Sequence, residues 1–245
     1  MKPLVFGLST LFLTQTAAAD VIALKLSAGQ WQPSFSGDVQ DGTTRIDMED
    51  DLGLDDDDAL NLNLALEHPV PLLPNFKLDY TDLSIEATHT LTRTIDFDDT
   101  TFTVSDDITT EADLTHLDAL FYYELLDNVV SLDLGLGVRQ FDGYISIASS
   151  TESANVDLDD PLPLLYGAAE VELPLTGLAV SGEVKGVGYS GDSFLDMNVK
   201  ASYTFAFGLG VELGYRTMSL DSSELSDIEA DIDISGPYAG LKFHF

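Results

Sequence analysis

Cysteine is absent from the 245 residues, which removes disulfides, thiolate metal sites, a cysteine nucleophile and the lipid-anchored lipoprotein route. Cations are scarce: Lys and Arg number 10 against 43 Asp and Glu, for a formal net charge of −33 and a pI near 4.1. Binding to nucleic acid depends on Lys and Arg releasing counterions from phosphates, so this balance argues against a nucleic-acid partner. After residue 19 no stretch approaches the roughly 18 uncharged apolar residues of a spanning helix. Yet 44% of the residues are hydrophobic and mean hydropathy is +0.09, which disordered acidic chains do not show. Apolar and acidic residues must therefore be segregated.

Residues 1–19 read as an export signal, with Lys2 ahead of an apolar stretch from Leu4 to Leu13 and a small-residue cleavage site at Ala17-Ala18-Ala19. About ten apolar residues are too few for a membrane anchor. The mature chain, expected over 20–245, is then periplasmic, secreted or in an outer membrane.

That mature chain alternates with period two. In ALNLNLALE, Leu60, Leu62, Leu64 and Leu66 oppose Asn61, Asn63 and Glu67; in VVSLDLGLGVRQF, Val130, Leu132, Leu134, Leu136 and Val138 oppose Ser131, Asp133, Gly135, Gly137 and Arg139. The pattern returns at 165–173, 178–189, 195–207 and 209–216. Across these segments the apolar phase carries no charge, and the other carries Glu170, Glu183, Lys185, Asp196, Lys200, Glu212 and Arg216. These are strands.

Such strands fit a soluble sandwich with its apolar face inward or a membrane barrel with that face toward lipid. The links discriminate. Ten expected strands, from 21–35 to 229–245, are joined alternately by acidic or Ser/Thr-rich links (36–56, 94–102, 145–161, 220–228) and by short turns, as in a barrel with outer loops and inner turns. The short link at 190–193 departs from this pattern. Phe76, Phe121, Tyr123, Tyr203, Phe205, Phe207, Phe243 and Phe245 fall at the short-turn ends, the level of an interfacial girdle. The reading is all-β: a transmembrane antiparallel β-barrel of ten strands, with eight as the alternative.

The final residues, GPYAGLKFHF, alternate back from Phe245 through Phe243, Leu241 and Ala239. They resemble the C-terminal signature of bacterial outer-membrane barrels, which implies that Leu241, Phe243 and Phe245 are read by the barrel-assembly machinery. The blocks LDLGLGVRQFDG (132–143) and SAGQWQ (27–32) resemble segments of an uncharacterised family of proteobacterial outer-membrane barrels. That resemblance implies the outer membrane of a Gram-negative bacterium, with lipid and lipopolysaccharide as surroundings, and no activity.

Of the nine mature-chain cations, all but Arg45 and Arg93 fall on the inward phase. The expected lumen ladder is Lys25, Asp133, Arg139, Glu170, Glu183, Lys185, Lys200, Glu212, Arg216 and Lys242. A hairpin tip at 191–192 sets Glu183 opposite Lys200, and a turn at Gly208 sets Lys200 opposite Arg216. The ladder reads either as a structural plug of paired charges or as a narrow small-solute pore. An enzyme or surface-binding barrel is the alternative: hairpin pairing would put His116 near Ser84 and His89 near Glu111, without a complete triad. No cofactor is implied. Eight carboxylates between Asp47 and Asp58 invite a divalent cation, with Asp55, Asp56, Asp57 and Asp58 the candidates, but the spacing does not match an EF-hand. A solvated anionic loop fits better, with loose divalent bridging to lipopolysaccharide phosphates compatible.

Overall fold

The computed structural model describes residues 22–70, 72–225 and 228–245. The expected export signal lies outside the described residues.

Strands follow one another as β1 (Ala23–Trp31), β2 (Ser34–Asp41), β3 (Thr44–Asp47), β4 (Ala59–Glu67), β5 (Asn75–Asp82) and β6 (Ser84–Thr90). Next come β7 (Ile95–Phe97), β8 (Thr100–Phe102), β9 (Asp107–Asp113), β10 (His116–Asp127), β11 (Val130–Phe141) and β12 (Gly143–Ala148). The last are β13 (Ser153–Leu158), β14 (Pro161–Leu173), β15 (Leu178–Tyr189), β16 (Asp192–Thr204), β17 (Leu209–Leu225) and β18 (Ile228–His244). Ten of them, β1, β4, β5, β10, β11 and β14 to β18, pair as antiparallel neighbours, and β18 returns to β1 from Lys25↔His244 to Trp31↔Tyr238. Closure leaves no edge within the wall, which a backbone surrounded by lipid requires. Phe245 extends the seam: its N–H donates to the Leu24 carbonyl at 2.9 Å and its carbonyl accepts from Leu24 at 2.9 Å.

Alternation sets the two faces of this wall. Leu134, Leu136, Val138, Leu165, Val180, Val199, Leu213 and Leu241 are exposed on the outside, an apolar belt suited to lipid. Between them the inward positions of β11 are glycines because the facing strand is close. A Cβ at Gly135 would sit 2.3 Å from the Phe121 carbonyl oxygen, and one at Gly137 would sit 2.3 Å from Leu120 Cδ2. At the short-turn end, Phe121, Tyr123, Tyr203, Phe205, Phe207, Phe243 and Phe245 are exposed, while Phe76 is half-buried with its ring 5.2 Å from that of Phe121.

At the other end the strands do not give way to loops. The chain continues from β1 into β2, β5 into β6, β9 into β10, β11 into β12 and β13 into β14. Above the belt β13, β12, β9 and β6 form a four-stranded sheet, while β2 and β3 extend the sheet of β17 and β18. Phe35, Val39, Ile46, Met48, Leu52 and Leu54 from one side meet Ile85, Ile95, Phe97, Phe102, Ile108 and Ile147 from the other in one buried apolar cluster. A β-rich cap thus stands over the barrel, its apolar cluster continuous with lumen residues such as Trp31, Leu120 and Phe194.

The 47–58 connection keeps Glu49, Asp50, Asp55, Asp56 and Asp58 exposed, as an anionic loop would, but it is also held by local bonds and buries its apolar residues. Asp47 accepts from the N–H groups of Glu49 and Asp50 at 3.0 and 2.8 Å, and Asp51 accepts from that of Asp47 at 2.9 Å. Arg93 bonds Asp51 and the Arg45 carbonyl, pinning the turn to the opposite sheet. Gly53 turns at φ +72° with its Cα side against His89, where a Cβ would lie 3.1 Å from His89 Cβ. The apolar residues Met48, Leu52 and Leu54 fall on one parity in the sequence, but Asp50 interrupts the alternation and the acids on both sides obscure it.

Two registers also differ from expectation. The β15–β16 turn uses Ser190 and Gly191, at φ +57° and +107°, so Tyr189 pairs with Asp192 and Glu183 faces Asn198 rather than Lys200. The β16–β17 turn is centred on Phe207, at φ +69°, and Lys200 faces Gly214 rather than Arg216. Each tip lies one residue earlier than the sequence reading placed it, which shifts every cross-strand partner by two.

Candidate functional site

The alternation that turns apolar side chains to lipid turns charges into the lumen. There Lys77, Arg139, Lys185 and Arg216 meet Asp79, Asp118, Glu183 and Asp196. Pairing places Asp79 opposite Asp118 and Asp118 opposite Arg139 along adjacent strands, and Lys185 opposite Asp196 farther round. Arg139 bonds Asp118 with Nε and Nη2 and reaches Asp196 at 2.6 Å. Lys185 Nζ lies 2.8 Å from both Asp79 and Asp118. Lys77 bonds Glu183 and sits 3.1 Å from Asp79.

Arg216 crosses the barrel. It holds Asp196 through Nε at 3.0 Å and Nη2 at 2.7 Å, and donates to Asn61 and to Thr81 at 3.0 Å on the far wall. Its guanidinium lies 4.7 Å from the centre of the Trp31 ring. His116 donates from Nδ1 to the Leu114 carbonyl at 2.8 Å, leaving Nε2 as the acceptor facing Arg216 at 3.3 Å.

Toward the short-turn end a looser tier follows. Lys25 pairs with Glu67 at 2.6 Å, Lys200 with Glu212 at 3.3 Å, and Lys242 donates to Ser202 at 2.7 Å. Tyr122 and Tyr238 donate to Glu67 and Glu212 at 2.9 and 2.6 Å. Asp133 carries a buried oxygen without a hydrogen-bond partner among the described residues, and Glu170 is half-buried outside the central network. Sequence reasoning passed over Asp79 and Asp118, although they share the inward phase of Lys77 and His116. What it could not supply was the contact across the lumen between strands distant in order, such as Lys185 with Asp79.

Within this packing lies a cavity of about 20 Å³ bordered by Asn61, Asp79, Thr81, Lys185, Asn198 and Tyr238. Buried oxygens of Asp79 and Asn198 are without a hydrogen-bond partner among the described residues. A space of that size accommodates about one water molecule.

The histidines do not assemble the arrangement considered for an enzyme. His116 faces Thr81 and Phe141, His89 faces Ile108, Ser84 faces Asp113, and Glu111 faces Glu86. Among the described residues no three His, Asp or Glu side chains are grouped to hold a metal ion. Asp56 accepts from Ser34, Asp58 from Gln32, and Asp57 from the Asp58 N–H, so each turns to a separate local partner.

On the cap, Arg45 bonds Asp38, which favours its charged form, and Asp96 accepts from Thr101 at 2.6 Å and Thr44 at 3.0 Å. Those hydroxyls hold the Asp96 carboxyl below its ordinary range.

No protein-family model and no curated protein matches the chain. Solved structures do. The outer-membrane protease OmpT of Escherichia coli is 14% identical with a TM-score of 0.53, over 93% of this chain and 98% of that one. The translocator domain of the autotransporter NalP of Neisseria meningitidis is 11% identical with a TM-score of 0.48, over 91% and 88%. Ail of Yersinia pestis is 12% identical with a TM-score of 0.34, over 91% and 99%. At such identities the likeness to OmpT is one of fold, and it agrees with the lipid-facing wall: the chain is a closed ten-stranded antiparallel barrel of the outer-membrane type.

Proposed function

We propose that this chain is a non-catalytic, non-conducting barrel of the Gram-negative outer membrane, whose lumen is a structural plug and whose working part is the acidic cap held above the bilayer. The observation that carries this reading is the central network. Arg139 and Asp118 are completely buried, and each cation there has at least one carboxylate partner, so the pairs themselves fill the middle of the lumen. A narrow small-solute channel, the competing reading, would need these pairs to part, and separating buried charges is costly.

The charge distribution gives the cap its character. Arg45 and Arg93 are the sole cations of segments 32–58, 83–115, 142–160 and 219–234, all rich in Asp and Glu. Beside anionic lipopolysaccharide such a surface favours divalent cations as bridges and repels anionic partners. Insertion through the barrel-assembly machinery, with Leu241, Phe243 and Phe245 as the signal, completes the proposal.

Single-channel recording on refolded protein in planar bilayers tests it. Absence of unitary current steps is expected, and a steady ohmic current through the wild type would overturn the plug.

A further inference from the structure

Three of the cap's strand edges, those of β6, β3 and β13, are treated differently. The edge of β6 lies under the 47–54 turn, through Gly53 on His89 and Arg93 on Asp51. The edge of β3 is met by the β7–β8 hairpin, through Thr44 on Asp96. For β13 the sheet partner among the described residues is β12 alone, and the sheet ends there. The reason lies in the next hairpin. β15 and β16 turn at Tyr189 and Asp192, and β14 pairs with β15 only from Leu165 onward, so β13 stands above the tip of its neighbours in the wall. Pro161 and Pro163 lie just below, where two N–H groups are removed before pairing begins. Residues 153–158 have no such protection, and an unpaired edge presents a row of free donors and acceptors.

We infer that β13 is a docking edge for an extended basic segment of another polypeptide, which adds to the cap sheet as a fifth strand. The inference rests on the reading that this end of the barrel is the working surface. Two features of the edge specify the occupant. Ala154 is buried and Val156 half-buried against the cap core, while Ser153, Asn155 and Asp157 point outward, so an added strand meets an apolar face on one side and a polar one on the other. Around that outer face stand Glu152, Asp157, Asp159 and Asp160, and no Lys or Arg occurs between Arg139 and Lys185. The complementary strand alternates apolar residues with Lys or Arg. A second copy of this chain is the poorer occupant, because it brings the same acids against themselves.

The probe is the heptapeptide acetyl-Lys-Val-Lys-Val-Lys-Val-Lys-amide, added to full-chain protein refolded in detergent. Hydrogen exchange of the amides in 153–158 is expected to slow about tenfold at saturation, and Asp157→Lys, an exposed change, to weaken binding about tenfold. A version N-methylated at every residue keeps the charge and the side chains but can donate no hydrogen bond from either edge, and it is expected not to protect 153–158. Equal protection by the methylated peptide, or protection confined to other segments, would overturn the docking edge. So would protection and a dimer mass that rise with protein concentration in the absence of peptide. None of these readouts depends on conduction, so a failure here is separable from a failure of the plug.

Discussion

Arg139 forks onto Asp118 across the β10–β11 pair, Nε to Oδ1 at 2.6 Å and Nη2 to Oδ2 at 2.7 Å, with neither side chain exposed. Bidentate geometry and a third bond to Asp196 compensate two desolvated charges. Arg139→Met removes that compensation and leaves Asp118 to Lys185 alone and Asp196 to Arg216 alone in the lumen, so it is expected to cost roughly 3–5 kcal/mol. Urea unfolding of the refolded variant measures the loss, and a midpoint equal to wild type would show that the network does not hold the barrel.

The observed register moves the partner of Glu183 from Lys200 to Lys77. Glu183→Gln and Lys77→Met are therefore expected to be non-additive, with an interaction energy of about 0.5–3 kcal/mol in a double-mutant cycle. The cycle between Glu183 and Lys200 is expected to give the smaller value, since Lys200 pairs with Glu212. Equal coupling in both cycles would contradict the pairing.

Adjacent positions on β11 are expected to fail for opposite reasons. Leu134→Arg places a charge in lipid and costs about 2–4 kcal/mol at mid-bilayer depth. Gly135→Ala adds a single methyl where the Phe121 carbonyl leaves no room, an overpacking cost of about 1–3 kcal/mol. Folding yield into vesicles against yield in detergent separates the two, because only the first depends on lipid.

Acid is expected to release the β7–β8 hairpin from β3. The Thr101 and Thr44 hydroxyls lower the Asp96 pKa in the folded state, so the native form binds fewer protons than the unfolded one. The stabilisation is present in full above the ordinary carboxylate range and is lost as pH falls through the lowered value. Hydrogen exchange of 95–102 against pH follows it, with Asp96→Asn expected to flatten the profile.

Proteolysis of the 47–58 turn is expected to respond to Arg93 more than to chelators. Arg93→Ala leaves Asp51 without its cation and the turn without its tie to the opposite sheet, so cleavage should rise. A chelator that accelerates cutting of the wild type as much as this substitution does would instead assign the turn to a bound cation.

Much of the wall was legible in the sequence for a simple reason: with lipid outside and a charged lumen inside, each strand must alternate, and period two survives in segments such as ALNLNLALE and LDLGLGV. The number of strands, the outward leucines, the inward cations and the aromatic level at Phe121, Tyr203 and Phe243 all follow from that periodicity. The cap was not legible. Its residues Met48, Leu52, Leu54, Ile95 and Phe102 are buried by contacts between segments distant in sequence, and the acids interspersed among them mask them as loop.

The sequence by itself determined which face of each strand meets lipid, because that depends only on neighbours two residues apart. Tertiary structure alone decided which charges meet. A turn tip displaced by one residue moves every partner by two, and closure of the barrel brings Lys185 to Asp79 and Arg216 to Asn61 across the lumen. Those contacts depend on register and on barrel width, which no local pattern encodes.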